Sequence, residues 1–581
     1  MTLRALILCV VLMGSQLPSQ GSEIVRAQEA AVLRTRAEQT GFVETSRYKD
    51  VIEFLAAVDS VSPDIQVTAF GYSFEGRALP LAIWMPDSPT AGMTPPAGKT
   101  PTDGRIRVLV FANIHAGEVE GKEAAQMLLR DLATGRHAAW GDSLSLLLAP
   151  IYNADGNERV TLTNRPLQLG PIGGMGQRPN AQGLDLNRDF TKLDTPEARS
   201  LVGLLRDYDP HVVIDLHTTN GTFHGYHLTY SPPLHPATDA SIDRFMRDSL
   251  FPAVTAALRA GPDEGSSEAP PCGRAAPQGE ARTVDGDGCE RLAELRRTRT
   301  WESHYYGNLP DDEGMEGAER AWYTFDHRPR FSNNYVGLRN RLGILSEAYA
   351  YLEFDERIAV TVRFVEEILD YVHAHASAIR RLTEAADARP LTGVELAVRA
   401  EIARSAEAVE ILLGEVEATR HPYTGEVMLR RRDVPRPEVM PEYGSFAATE
   451  TAVVPQAYLV PAGLAKATDL LAAHGILHHA LAEPATLLVQ EFRITGSSRA
   501  EEEFQGHRER TLDGAWGMVA ERTIPAGTIV VPLDQPLARL AVLLLEPRSD
   551  DGLVNWGQLD AVLEGAGTYP ILRTDAVPPG P

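Results

Sequence analysis

The chain predicts an α/β fold with a mixed central β-sheet flanked by helices, followed by a β-rich accessory region, and three features carry that prediction. Short apolar runs rich in Val, Ile and Leu recur at 105–112, 145–150, 211–216 and 342–346, as in strands covered on both faces. Stretches with helical spacing of apolar residues lie at 119–132, 195–208, 239–260 and 354–386. Alternation of the two kinds of segment is the pattern of helices packed on a central sheet, with functional groups at the strand ends. From about Leu391 the texture changes to short β-prone runs at 408–416, 426–431, 486–495 and 528–531, with one helix expected at 464–474. That region, 391–581, is expected to be a separate sandwich-like domain in a structural or substrate-gating role.

Residues 1–27 carry the marks of a signal peptide. Arg4 supplies a positive start, Ala5 to Met13 an apolar stretch, and Val25-Arg26-Ala27 a small-residue cleavage site. Nine apolar residues are too few to span a bilayer. The mature protein is therefore expected to be secreted or periplasmic. The hydrophobic content of 43% excludes wholesale disorder. A formal net charge of −24 argues against nucleic acid or an anionic membrane surface as partner. Two cysteines, Cys272 and Cys289, remain after the leader and flank a Gly/Pro/acid-rich insert. In an oxidising compartment a bond between them is expected.

The chemistry begins where the first long apolar run ends. His115 and Glu118 follow Ala112 in the order H-x-x-E, an imidazole and a carboxylate that can bind one metal ion from the same side. Alone this spacing is weak, because a chain with 16 His meets it about once by chance. Three further segments accompany it. Arg178-Pro179-Asn180 precedes Gly183-Leu184-Asp185-Leu186-Asn187-Arg188, His217 ends the apolar run 212–216, and Glu347 ends the run 342–346.

In this company the chain resembles the zinc carboxypeptidase family, over roughly residues 45–390. The resemblance implies a catalytic domain at 28–390 that binds one zinc ion per chain through His115, Glu118 and His217. It implies Asp185 as the carboxylate that orients His115, Glu347 as general base, and Arg178 as the group that polarises the scissile carbonyl. Asn187 and Arg188 would hold the substrate's free C-terminal carboxylate, and a tyrosine would lie beside it. Tyr335 and Tyr323 both precede Glu347 and the spacing does not decide between them; Tyr335 is taken here. Arg165 rivals Arg178 but lacks the following x-Asn. His224 and His227 suggest a second metal pair, yet their spacing on a strand puts them on opposite faces, so they are expected to be structural or pocket-lining.

The implied activity is a secreted zinc carboxypeptidase that removes C-terminal residues from peptides by water attack. One alternative is a related zinc amidohydrolase acting on cell-wall peptides or acyl-amino acids. Another is an inactive peptide- or carbohydrate-binding protein on the same fold.

Overall fold

A computed structural model describes residues 33–86, 104–219, 221–261, 287–312, 314, 315 and 317–578. The expected leader and Cys272 lie outside the described residues, while Cys289 sits on the helix Asp287–Thr298.

The central sheet has eight strands: β1 (Ile65–Tyr72), β2 (Ala78–Trp84), β3 (Ile106–Ala112), β4 (Leu144–Ala149), β5 (Val212–Thr219), β6 (Leu228–Ser231), β7 (Ser303–Tyr305) and β9 (Leu342–Tyr349). The short β8 (Trp322–Tyr323) lies outside it. The order is β1-β2-β4-β3-β5-β9-β6-β7. The middle strands β4, β3, β5 and β9 run parallel, and β1, β2 and β6 pair antiparallel at the flanks, so the sheet is mixed as the sequence predicts. Every residue of β3, β4 and β5 is buried. Helices cover both faces of such strands, which is why they read as unbroken apolar runs rather than alternating ones.

The helix Glu120–Ala133 follows β3 and packs against Phe354–Ala374. The helix Pro196–Tyr208 packs on β1. Its start is as the sequence suggests: the Thr195 side chain accepts from Ala198 N–H and Pro196 occupies the first turn. Two expected helices are interrupted. The stretch 239–260 contains a wide π turn at Met246–Leu250 just ahead of Pro252, whose missing N–H and ring disturb the hydrogen-bond ladder. The stretch 354–386 breaks at His375 into Phe354–Ala374 and Ala376–Asp387.

The described residues of the C-terminal region are β-rich but form no two-sheet sandwich. One six-stranded sheet has the order β16-β21-β15-β22-β17-β20, made from His479–Ala480, Ile529–Pro532, Ala457–Val460, Leu572–Thr574, Ala485–Gln490 and Ala520–Ile524. Three two-stranded ribbons accompany it: β10 (Glu395–Ala403) with β14 (Ser445–Val453), β11 (Val409–Arg420) with β12 (Val427–Met440), and β18 (Phe492–Arg499) with β19 (Arg510–Trp516). Nor is the region set apart from the rest. Strand β13 (Glu442–Tyr443) pairs in parallel with β8. The β11–β12 ribbon bonds to the backbone at Leu167, Phe223, Gly225 and Tyr351. The largest apolar cluster among the described residues runs from Val51 in the first helices through β3 and β5 to Leu544 and Ile571. No described helix is long and apolar enough to cross a membrane.

Buried ion pairs tie the two halves together, Arg539 with Asp239 and, most fully partnered, Arg330 with Asp551. Arg330 donates through Nε to Asp551 Oδ1 at 2.6 Å and through its backbone N–H to Oδ2 at 2.8 Å. Its Nη2 reaches Glu509 at 2.7 Å, and the guanidinium lies 4.3 Å over Trp556. Removing one partner strands a buried charge, which costs far more than the pair contributes net. Asp551→Ala is expected to lower stability by about 3–5 kcal/mol, seen as a lower denaturant midpoint. An unchanged midpoint would show that Glu509 and Trp556 suffice for Arg330.

Candidate metal centre and catalytic cavity

The site grows from the C-terminal ends of β3, β5 and β9, adjacent and parallel in the sheet. After Ala112 the chain turns through Asn113, buried and in the left-handed region at φ 66°. Asn tolerates that conformation better than most residues. Here its Nδ2 donates to the Glu118 carbonyl at 3.3 Å, bracing the turn from inside. Glu118 N–H donates to the His115 carbonyl at 2.9 Å, which closes the turn and puts both side chains on one side. Gly117 has to be small: a Cβ there would lie 2.8 Å from Arg165 Nε and 2.8 Å from the Gly176 carbonyl.

The side chains converge as an N, O, N set. His115 Nδ1 is 3.0 Å from Glu118 Oε1, and His217 Nδ1 is 2.9 Å from Glu118 Oε2. One ligand atom from each of the three lies within 4.8 Å of the others, and each residue is about 3% exposed. The outward ring nitrogens face carboxylates: His115 Nε2 is 3.1 Å from Asp185 Oδ1, and His217 Nε2 is 2.8 Å from Asp215 Oδ2. Both Nδ1 atoms thus turn inward onto Glu118, and with the ring protons held on the outward nitrogens they would offer their lone pairs to a metal, as metal-binding histidines do. The donor set therefore fits zinc, which takes two imidazoles and a carboxylate and leaves one position open. Ser332 Oγ donates to Asp215 at 2.5 Å, and Ser332 N–H donates to Asn187 Oδ1 at 3.0 Å, tying two sides of the site to one residue.

Burial pushes the Glu118 carboxyl up, but the charges of His115 and Arg165 and the imidazole hydrogen bonds outweigh it and hold the group well below the usual range. Asp185 is held low in the same way, with burial opposed by His115, Arg178 and Arg188. Glu347 differs. Burial pushes it up to about 8; His217 opposes this, Glu118 and Asp215 reinforce it, and Arg178 opposes it. In the β5–β9 register Glu347 stands opposite His217, so the two side chains share one face of the sheet.

A cavity of about 420 Å³ opens over this cluster. His115, Glu118, His217, Glu347, Arg178, Asn187 and Arg188 all line it. Arg178 donates through Nε to Asp185 Oδ2 at 3.0 Å. Arg188 donates to the Asn187 carbonyl at 2.7 Å, stacks 4.0 Å over Phe331, and comes no nearer than 3.9 Å to the Asp185 carboxylate. Arg165, the rival from the sequence, reaches Glu118 Oε1 at 2.8 Å and does not line the cavity.

Tyr335 requires correction. It is fully buried on the helix Ser332–Leu338, its hydroxyl 2.8 Å from His474 Nδ1 and accepting from Arg339 at 3.2 Å. Those partners hold the ring in the core, away from any substrate. Tyr323 does not line the cavity either; Tyr306 does. His224 and His227 are structural: the first packs its ring 4.0 Å from Tyr349, and the second accepts from Glu302 N–H at 3.0 Å. Sequence reasoning also missed Phe325, Asp326, Arg328, Arg330, Phe331 and Phe504 on the cavity wall. The dense Arg328-Pro329-Arg330-Phe331 run was a usable signal; Phe504 had none.

Residues 51–244 match the model of the zinc carboxypeptidase family. Carboxypeptidase 2 of Trichophyton rubrum is 26% identical over 147 residues, covering 25% of this chain and 23% of the relative. Carboxypeptidase D of Mus musculus is 31% identical over 176 residues, covering 26% of this chain and 13% of the relative. The chain thus spans less than a quarter of the length of either. A metallo-carboxypeptidase from Burkholderia cenocepacia overlays with a TM-score of 0.36 at 14% identity, covering 56% of this chain and 69% of that one. A carboxypeptidase A from Helicoverpa armigera overlays at 0.37 and 13% identity, covering 61% and 80%.

The Asp185 contact yields a test. A carboxylate on the far nitrogen fixes the His115 tautomer, and losing such a partner typically costs ~10–100-fold in metal affinity. Asp185→Asn is expected to show that loss in a chelator competition with zinc. Wild-type affinity in that variant would mean that Asp185 only anchors Arg178.

Proposed function

We propose that this protein, whose residues 51–244 carry the zinc carboxypeptidase family match, is a peptide hydrolase that removes C-terminal residues and holds one zinc ion per chain. The observation that carries the proposal is the meeting of the His115, Glu118 and His217 donor set with Glu347 and Arg188 in one cavity. When bound there, zinc supplies Lewis acidity toward the scissile carbonyl and makes a water nucleophilic near neutral pH.

The remaining work falls to the chain's own groups. Arg188 binds the terminal carboxylate of the substrate, for which a planar guanidinium is the matched partner. Among the guanidinium groups on the cavity it has the longest approach to a carboxylate, so a substrate carboxylate displaces little. Asn187 supports that contact, its amide orientation set by Ser332. Binding the chain end in this way places the last peptide bond, and no internal one, against Glu347. Glu347 takes the proton of the attacking water and delivers it to the leaving nitrogen. Arg178, partly exposed on the cavity, faces the carbonyl oxygen as negative charge develops on it. The signal-like leader makes a secreted or periplasmic location part of the proposal.

Purified protein is expected to contain about one zinc per chain and to lose activity on chelation. Glu347→Gln should keep the metal while turnover falls ~100-fold or more. A variant that retains near wild-type turnover would move the base to another carboxylate.

Amidation of the peptide C-terminus should cost ~10-fold or more in kcat/KM, and Arg188→Ala should harm free peptides much more than amidated ones. Equal cleavage of free and amidated peptides by the wild type would refute the exopeptidase assignment even with the zinc site intact.

A further inference from the structure

The cavity wall is not built by the family-matched segment alone. Phe504 lines the cavity from the loop between β18 and β19, more than 250 residues beyond the end of that match. It belongs to a tight turn in which Phe504 and His507 exchange backbone hydrogen bonds of 2.7 and 3.0 Å. The two residues between them, Gln505 and Gly506, both adopt left-handed backbone at φ 52° and 81°, as a two-residue hairpin turn requires.

The turn is fastened to the catalytic half at three points. Gln505 Oε1 accepts from the backbone N–H of Asp185 at 2.8 Å, the residue whose carboxylate touches His115 and Arg178. His507 Nε2 lies 2.6 Å from Asp194 Oδ2, just ahead of the helix Pro196–Tyr208. Glu509 accepts from Arg330, whose guanidinium also lies 5.2 Å from the Phe504 ring. Trp556 backs Phe504 with a near-parallel ring at 6.3 Å. A ring held from behind, 39% exposed and lining the cavity, is a preformed contact surface rather than a loose loop residue.

The charges around it limit what that surface can contact. Arg328 is engaged by Asp326 at 2.5 Å, and Arg330 by Asp551 and Glu509, so these groups neutralise one another within the wall. A cationic substrate side chain would need a carboxylate released from such a pair, and an anionic one a released guanidinium. Beside Thr218, Thr219, Tyr306 and Leu345, the surface left for recognition is aromatic: Phe325 and Phe504, with Phe331 under Arg188.

Resting on the carboxypeptidase assignment above, we infer that Phe504 of the C-terminal region is a specificity residue of the catalytic cavity, packing against an apolar side chain on the substrate's terminal residue.

The test uses full-length, zinc-loaded enzyme and a set of peptides that end in Phe, Leu, Lys or Glu and are otherwise identical. Wild type should favour the Phe and Leu endings. Phe504→Ala should raise KM at least tenfold for those two while kcat changes less than threefold, and should leave Lys and Glu endings within threefold. Phe504→Trp, which narrows the cavity and keeps the aromatic wall, should shift preference from Phe to Leu endings; it also serves if the alanine variant does not fold. A purely structural residue would lower kcat for all four peptides in parallel, and that result, or no change in either variant, overturns the inference alone. A wild type that cleaves none of the peptides overturns the proposed function and this inference with it.

Discussion

The constraint on which the site depends is the burial of the Glu118 carboxylate between two imidazoles. A charge that deep survives only if hydrogen bonds and opposite charge replace the water it has lost. His115 and His217 take its two oxygens at 3.0 and 2.9 Å, and Arg165 adds a third contact at 2.8 Å. Each imidazole is in turn held from behind by Asp185 or Asp215. The same alternation that makes the cluster tolerable without a metal turns N, O and N donors toward one point. Positions of both histidines are thus fixed twice, by the strand ends that carry them and by the carboxylates that hold their outer nitrogens.

Much of this was legible in the sequence because it is local or periodic. The runs at 105–112, 211–216 and 342–346 are apolar because the parallel strands β3, β5 and β9 are buried on both faces, and their polar ends stand out for that reason. The start of the helix at Pro196 was legible from Thr195 and the proline itself. What was not legible depends on contacts far apart in the chain. Tyr335 precedes Glu347 at a suggestive distance, yet a helix at 332–338 turns its ring toward His474, 139 positions away. No local signal reports that choice. The sandwich expectation failed for the same reason: runs of alternating residues identify strands, whereas the six-stranded sheet forms by pairings as distant as Tyr458 with Val531 and Arg573, and the β11–β12 ribbon is held by the backbone at Phe223 and Gly225.

Those pairings change what the C-terminal region is. A domain joined by a linker would present its own closed core and a polar contact face. Here one face of the six-stranded sheet has a small apolar cluster of its own, but the main core continues across both halves, the helix Ala465–His474 packs on Pro196–Tyr208, and His474 itself bonds to both Tyr335 and the Thr191 carbonyl. Tyr335 is held in the core by a C-terminal histidine, and a separate C-terminal turn contributes Phe504 to the cavity wall.

The cavity is also rich in cations that are unequally paired. Arg178, Arg188, Arg328 and Arg330 all line it, and four unpaired guanidinium groups would repel one another and bind any anion. Three are paired at 3.0 Å or closer: Arg178 with Asp185, Arg328 with Asp326, and Arg330 with Asp551. Arg188 stands 3.9 Å from the Asp185 carboxylate and is held instead by the Asn187 carbonyl and the Phe331 ring. Those partners fix the position of its guanidinium without neutralising its charge. Under the proposed function, selectivity for the free end of a peptide would rest on that inequality among the four arginines, more than on the number of positive charges in the cavity.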